Sequence, residues 1–173
     1  MRFVVTGEWS RNRLLQVIVV CYCVYVALLW LTNALLYFEK MSLSPASVVS
    51  YYRGNEEQFL SPRSYQGLLE VSHFHLFAMG MLLLVLTHLM LFVPLRPRWK
   101  AWLIALPFLA ALIDEGGGWL VRFVHPGFAA LKIVGFLLLQ TSLALLVGVS
   151  LWAVFAGSQR HYGTSAASPP PSP

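Results

Sequence analysis

A chain of 173 residues that is 58% hydrophobic and only 11% charged, with a mean hydropathy of +0.68, has the composition of a lipid-embedded protein. A soluble domain of similar size carries roughly a quarter charged residues, so the deficit excludes an ordinary soluble enzyme or binding module. The formal net charge of +5 is then a topology signal rather than a sign of nucleic acid, because Lys and Arg collect on one side of a membrane.

In chain order, residues 1–13 form a short polar arm with Arg2, Arg11 and Arg13. Residues 14–38 form the first span. The run is too long for a signal-peptide core and lacks an A-x-A-like exit, so it reads as an uncleaved anchor. Cys21 and Cys23 lie in it. At this spacing they point about 200° apart, which disfavours a mutual disulfide. The chain has no C-x-x-C-H, which argues against covalent c-type haem. Thr32 and Asn33, near the far end, either bridge to a neighbouring helix or cap an interfacial turn.

Residues 39–67 are the one sizeable loop. Ser44 followed by Pro45 predicts a short helix over 44–53, ended by Gly54-Asn55, with a turn at Ser61-Pro62. Tyr51, Tyr52 and Tyr65 read as interfacial aromatics. The loop would cover the mouth of the bundle or dock a partner. The second span, 68–95, carries Glu70, His73, His75 and His88. A basic turn with Pro94, Arg96, Pro97, Arg98 and Lys100 leads into the third span, 99–124. That span contains Pro107 and reads as interrupted by Asp114-Glu115-Gly116-Gly117-Gly118, ahead of Trp119 and Arg122. Each such glycine weakens a helix by roughly 1 kcal/mol relative to alanine, but lets a backbone, ring or ligand approach closely. His125-Pro126-Gly127 makes a tight turn, and the fourth span, 128–155, opens near Lys132. Residues 157–173, rich in Ser, Ala, Gly and Pro, read as a disordered tail.

The expected fold is therefore an all-α integral membrane four-helix bundle with one outer loop bearing a short helix. Arg2, Arg11, Arg13, Arg96, Arg98, Lys100 and Arg160 would share one side, which places both termini in the cytoplasm. Spans two and three are antiparallel, so Glu70, His73 and His75 come to the level of Trp119, Arg122 and His125 at the outer end. Asp114 and Glu115 would lie deeper, near Met79–Met81. Helical phase puts Glu70, His73, Phe77, Met81, Leu84 and His88 on one face and His75, Met79, Leu82, Leu86 and Met90 on the other. Only one of His73 and His75 can face the site.

Ionisable groups inside a membrane are costly and mark candidate sites. His73 or His75 with His125 could hold one haem b, with Arg122 a further cofactor-binding candidate, neutral imidazole being a common haem ligand. Glu70, His73 and His125 could instead bind a divalent metal. Glu70 could also neutralise Arg122 in a purely structural arrangement. Glu70, Asp114 and Glu115 are the candidate proton-handling or quinol-contacting acids. In the structural alternative, Arg122 or Lys132 reaches down to a break in span three as counter-ion. His88 reads as an interhelical hydrogen-bonding residue.

The stretches Tyr51-Tyr52-Arg53-Gly54, Leu68-Leu69-Glu70-Val71-Ser72-His73-Phe74-His75-Leu76-Phe77-Ala78-Met79 and Trp119-Leu120-Val121-Arg122-Phe123-Val124-His125-Pro126-Gly127-Phe128-Ala129 carry a resemblance. They resemble small four-helix bacterial membrane proteins that accompany respiratory or multihaem cytochrome systems. More broadly the chain looks like four-helix cytochrome b subunits, but it lacks their second intramembrane His pair. The resemblance implies an electron-transfer neighbourhood. The expectation is a subunit of the bacterial inner membrane that links a periplasmic cytochrome partner to the quinone pool. The alternatives are a non-catalytic scaffold or assembly protein, and a small metal or proton transporter.

Overall fold

The computed structural model describes residues 13–93 and 95–165, with side chains to residue 155. The polar arm at residues 1–12 and the end of the tail at 166–173 lie outside the described residues. The elements are α1 (Arg13–Lys40), α2 (Pro45–Arg53), α3 (Tyr65–Met90), α4 (Pro97–Phe123) and α5 (Ala129–Ser165), with 3-10 turns at Glu56–Gln58 and Pro126–Phe128. Among the described residues, four helices are long and apolar enough to cross a membrane: α1, α3, α4 and the stretch Pro126–Phe155. This is the expected all-α membrane bundle.

Local chemistry sets the helix boundaries. Ser44 Oγ accepts from the Ser47 N–H at 3.3 Å, and Pro45 occupies the first turn of α2. Gly54 ends α2 at φ +83°, where a Cβ would fall 2.6 Å from the Leu60 carbonyl oxygen. Ser64 Oγ accepts from the Gly67 N–H at 3.0 Å, so α3 starts at Tyr65, ahead of the expected 68. α3 ends at Met90, short of the expected 95, and Lys100 Nζ donates to the Leu91 carbonyl at 2.8 Å.

Two expectations need correction. α4 is continuous through Pro107 and the three glycines, so span three has no break. Two of the three are consumed by packing rather than by a turn: Gly117 meets the backbone of α5 and Gly118 meets the Tyr52 ring. α5 runs on to Ser165, so residues 157–165, expected as disordered tail, continue the helix. Extending an existing helix avoids the nucleation cost, which is why polar residues can follow a long apolar run.

α5 is the central helix and packs along α4, with α1 and α3 also against it. One buried cluster fills the lower bundle, with Cys23, Val26, Leu86, Met90, Leu139 and Leu146 among its members. A second lies at the end bearing α2, where Tyr37, Val48, Tyr52, Val121 and Phe136 meet. The Tyr37 and Phe136 rings stack at 3.7 Å. Trp30 Nε1 donates to the Gln140 carbonyl at 3.0 Å and the Tyr22 hydroxyl to the Leu82 carbonyl at 3.1 Å, tying α1 to α5 and α3. Cys21 faces outward and Cys23 inward. Large apolar side chains such as Leu28, Leu35, Phe77 and Leu112 remain exposed, as lipid contact requires.

Candidate functional site

Two adjacent acids on α4 each take a different basic partner. Lys132 Nζ lies 2.6 Å from Asp114 Oδ1 and 2.9 Å from the Asp114 carbonyl. That reach depends on close helix approach: a Cβ on Gly117 would stand 2.9 Å from Lys132 Cα, and one on Gly135 would stand 2.7 Å from the Asp114 nitrogen. Small residues at a membrane helix crossing allow such contact.

Glu115 turns the other way, toward α3. Its Oε2 is 3.1 Å from His75 Nδ1, and its Oε1 accepts from the Ser72 hydroxyl. Trp119 Nε1 donates to Ser72 Oγ at 2.7 Å, so indole, hydroxyl and carboxylate form one chain. The Tyr65 ring meets Trp119 edge-on at 5.4 Å.

α2 closes this end of the bundle. The Tyr52 ring lies over Gly118, where a Cβ would come within 2.7 Å of the hydroxyl oxygen. Burial pushes the Tyr52 phenol up from its ordinary value, with the neighbouring carboxylates adding to the shift. The sign for stability follows. The unfolded phenol ionises near about pH 10, whereas the folded one holds its proton. Stability from this group is complete below that value and falls as pH rises toward the folded value. Tyr52→Phe is therefore expected to flatten the alkaline loss of thermal stability between about pH 9 and about pH 11, measured by tryptophan fluorescence in detergent.

The acids stand between two cavities. A largely apolar one of about 140 Å³ includes Leu76, Met79, Leu83, Phe108 and Leu112 in its wall. A polar vestibule of about 610 Å³ opens on the α2 side, with Tyr52, Arg63, Glu70 and Lys132 in its wall. Asn33, His75, Asp114 and Glu115 border both.

Asp114, Glu115 and His75 are thus brought together. The acids sit level with Ser72–His75, not Met79–Met81, so they lie about 10 Å nearer the α2 end than expected. Lys132, not Arg122, is the counter-ion. Arg122 Nε donates to the Arg63 carbonyl at 2.8 Å and its guanidinium lies over Phe123. Glu70 borders the vestibule but accepts from Gln66 Nε2 at 3.0 Å and does not pair with Arg122. His125 Nδ1 accepts from the Gly127 N–H at 3.0 Å, capping its own turn. His73 and His88 make ring contacts with Phe74 and Phe92. Thr32 donates back to Leu28 and Leu29 of its own helix.

His75 borders both cavities, while His73 and His125 border neither of the two. Among the described residues, no three His, Cys, Asp or Glu converge as a metal site, and Glu70, His73 and His125 stay apart. Ser72 and Tyr52 were missed as site residues. Ser72 had a signal, since it shares the helical phase of His75 and Met79. Tyr52 had none, because α2 is placed only by tertiary contact.

No curated protein and no solved structure matches the chain. The segment 42–161 does match a family, and it contains α2, α3, α4 and the whole of the Asp114–Lys132 and Glu115–His75 arrangement. That family is Aq_1264_TM, described as a transmembrane helical domain, and the chain belongs to it.

Proposed function

We propose that this multi-pass protein is the membrane subunit of a bacterial electron-transfer assembly that takes quinol at its α2 end. The observation that supports the reading is the position of His75–Glu115, which borders both the apolar cavity and the polar vestibule. A quinol headgroup is an apolar ring with two hydroxyls. The apolar cavity suits the ring, and the exposed Leu76 and Leu112 on its wall suit an isoprenoid tail in lipid. The carboxylate–imidazole pair suits a hydroxyl and can accept its proton. Oxidation of quinol to quinone releases two protons and two electrons. In this reading the protons leave through the vestibule, and the electrons pass to a one-electron acceptor on a cytochrome partner in the periplasm. Both termini face the cytoplasm of the inner membrane. No step here uses haem b on this chain.

The test is titration of the native complex in nanodiscs with decylubiquinol, read by quenching of tryptophan fluorescence, Trp119 being hydrogen-bonded to Ser72. Saturable quenching is expected. Glu115→Gln should weaken it about tenfold, the value of one charge-assisted hydrogen bond. His73→Gln should leave it unchanged. Absence of saturable binding, or binding by Glu115→Gln equal to wild type, would refute the quinol reading. Loss of partner recovery in Glu115→Gln without any quinol binding would favour the scaffold alternative instead.

A further inference from the structure

α3 is the least covered of the spanning helices: 11% of its most apolar window is buried, against 50% for the last span. Yet it carries three exposed ionisable residues, Glu70 at the rim of the vestibule and His73 and His88 on the side turned away from the bundle. At 100° per residue, Glu70, His73, Phe77, Met81, Leu84 and His88 fall within about 80° of arc. The structure places this arc opposite Leu68, Ser72, Leu83, Leu86 and Met90, which are buried. Phe74 and Phe77 are each 73% exposed, Leu84 56% and Met81 49%. Among the described residues, His73 and His88 make ring contacts but no hydrogen bond.

His73 lies eight residues into a helix of 26, so a bilayer core of about 30 Å encloses it. Its N–H and its ring lone pair then face hydrocarbon, which satisfies neither. A polar intramembrane side chain normally faces protein or a cavity. Lipid alone is the wrong cover for this stripe.

We propose that this face of α3 packs against the same face of a second copy, in a parallel two-fold dimer. A two-fold axis along the membrane normal brings residues of equal depth together. Its contacts are isologous, so each contact between unlike residues is made twice. Glu70 and His73 are one turn apart on the stripe, which makes the stripe self-complementary. Glu70 of one copy reaches His73 of the partner subunit, and the reverse pair forms at the same time. His88, about 22 Å further along the helix, meets its own counterpart. There one imidazole N–H can donate to the other ring's nitrogen. Phe77, Met81 and Leu84, at spacings of four and three, form the apolar seam between these two polar contacts. A different partner would have to supply acid and base from its own sequence at matching depths. This chain already carries both. Since Glu70 also borders the vestibule, the dimer would set the two vestibules side by side.

Oxidative cross-linking in native membranes tests this. In a Cys21→Ser, Cys23→Ala background, Phe77→Cys, Met81→Cys and Leu84→Cys are treated with copper phenanthroline. Leu28→Cys on α1 and Leu112→Cys on α4, equally lipid-exposed, serve as controls. The expected result is a covalent dimer of twice the chain mass from the α3 positions and none from the controls. Glu70→Gln with His73→Leu should lower the Leu84→Cys dimer yield severalfold. The proposal is overturned by equal cross-linking at the controls, by no dimer from any α3 position, or by adducts only to a chain of different mass. It does not depend on the quinol reading, because no cross-linked position serves that test.

Discussion

Lys132→Met is expected to destabilise the bundle by about 3–5 kcal/mol, the usual cost of removing one partner of a buried ion pair. Lys132 and Asp114 side chains are 9% and 17% exposed, so little solvent screens the charge left behind. The ammonium also donates to the Asp114 carbonyl, and that contact is lost too. The decisive comparison is the double variant Lys132→Met, Asp114→Leu. It removes both charges at similar volume, and such replacements are often neutral or better. Thermal unfolding in detergent, followed by near-UV circular dichroism, should show most of the loss recovered. A double variant as unstable as Lys132→Met would mean that lysine packing, not charge compensation, carries the effect.

Neighbouring glycines should respond to alanine with opposite signs. Nothing lies within 4 Å of a Cβ built on Gly116, so Gly116→Ala should stabilise α4 by up to about 1 kcal/mol through helix propensity alone. Gly135→Ala should instead cost about 1–3 kcal/mol net, because its Cβ would fall 2.7 Å from the Asp114 nitrogen and backbone cannot swing aside. Gly118→Ala meets the Tyr52 ring at 2.7–2.8 Å and should loosen α2 from the bundle, read as faster proteolysis at the Asn55–Leu60 loop. If Gly116→Ala and Gly135→Ala shifted the melting temperature in the same direction, the α4–α5 crossing described above would be wrong.

Capping and hydropathy made much of the fold legible. Four long apolar runs, Ser44-Pro45 and Gly54 depend on local chemistry, and they appear as expected. Helix phase also separated His75 from His73. What phase could not supply was which face of α3 meets α4, because both faces carry histidine and apolar residues. Depth was misjudged for the acids because a 27-residue α4 can slide along α3 without changing its own hydrogen bonds. The contacts of Trp119 and Glu115 with Ser72 set that register.

His125 and Arg122 show the same limit. Their position near the α2 end was readable, but hydrogen-bonding direction was not, and both turned to backbone partners. The Gly116-Gly117-Gly118 run gave a correct hint of close approach and a wrong hint of a break. Propensity is a local term of about 1 kcal/mol per glycine. Packing against Lys132 and Tyr52 outweighs it, and no periodicity in the chain reveals those two neighbours.

The sequence by itself determined that this is a four-span membrane protein with most of the polar side chains inside its bundle gathered toward one end, because the cost of charge in lipid acts on every residue separately. Only the tertiary structure decided that Asp114 belongs to Lys132 and Glu115 to His75 and Ser72. Those pairings depend on how closely α4 and α5 approach at Gly117 and Gly135 and how α3 is rotated, which are properties of helices packed together rather than of any one span.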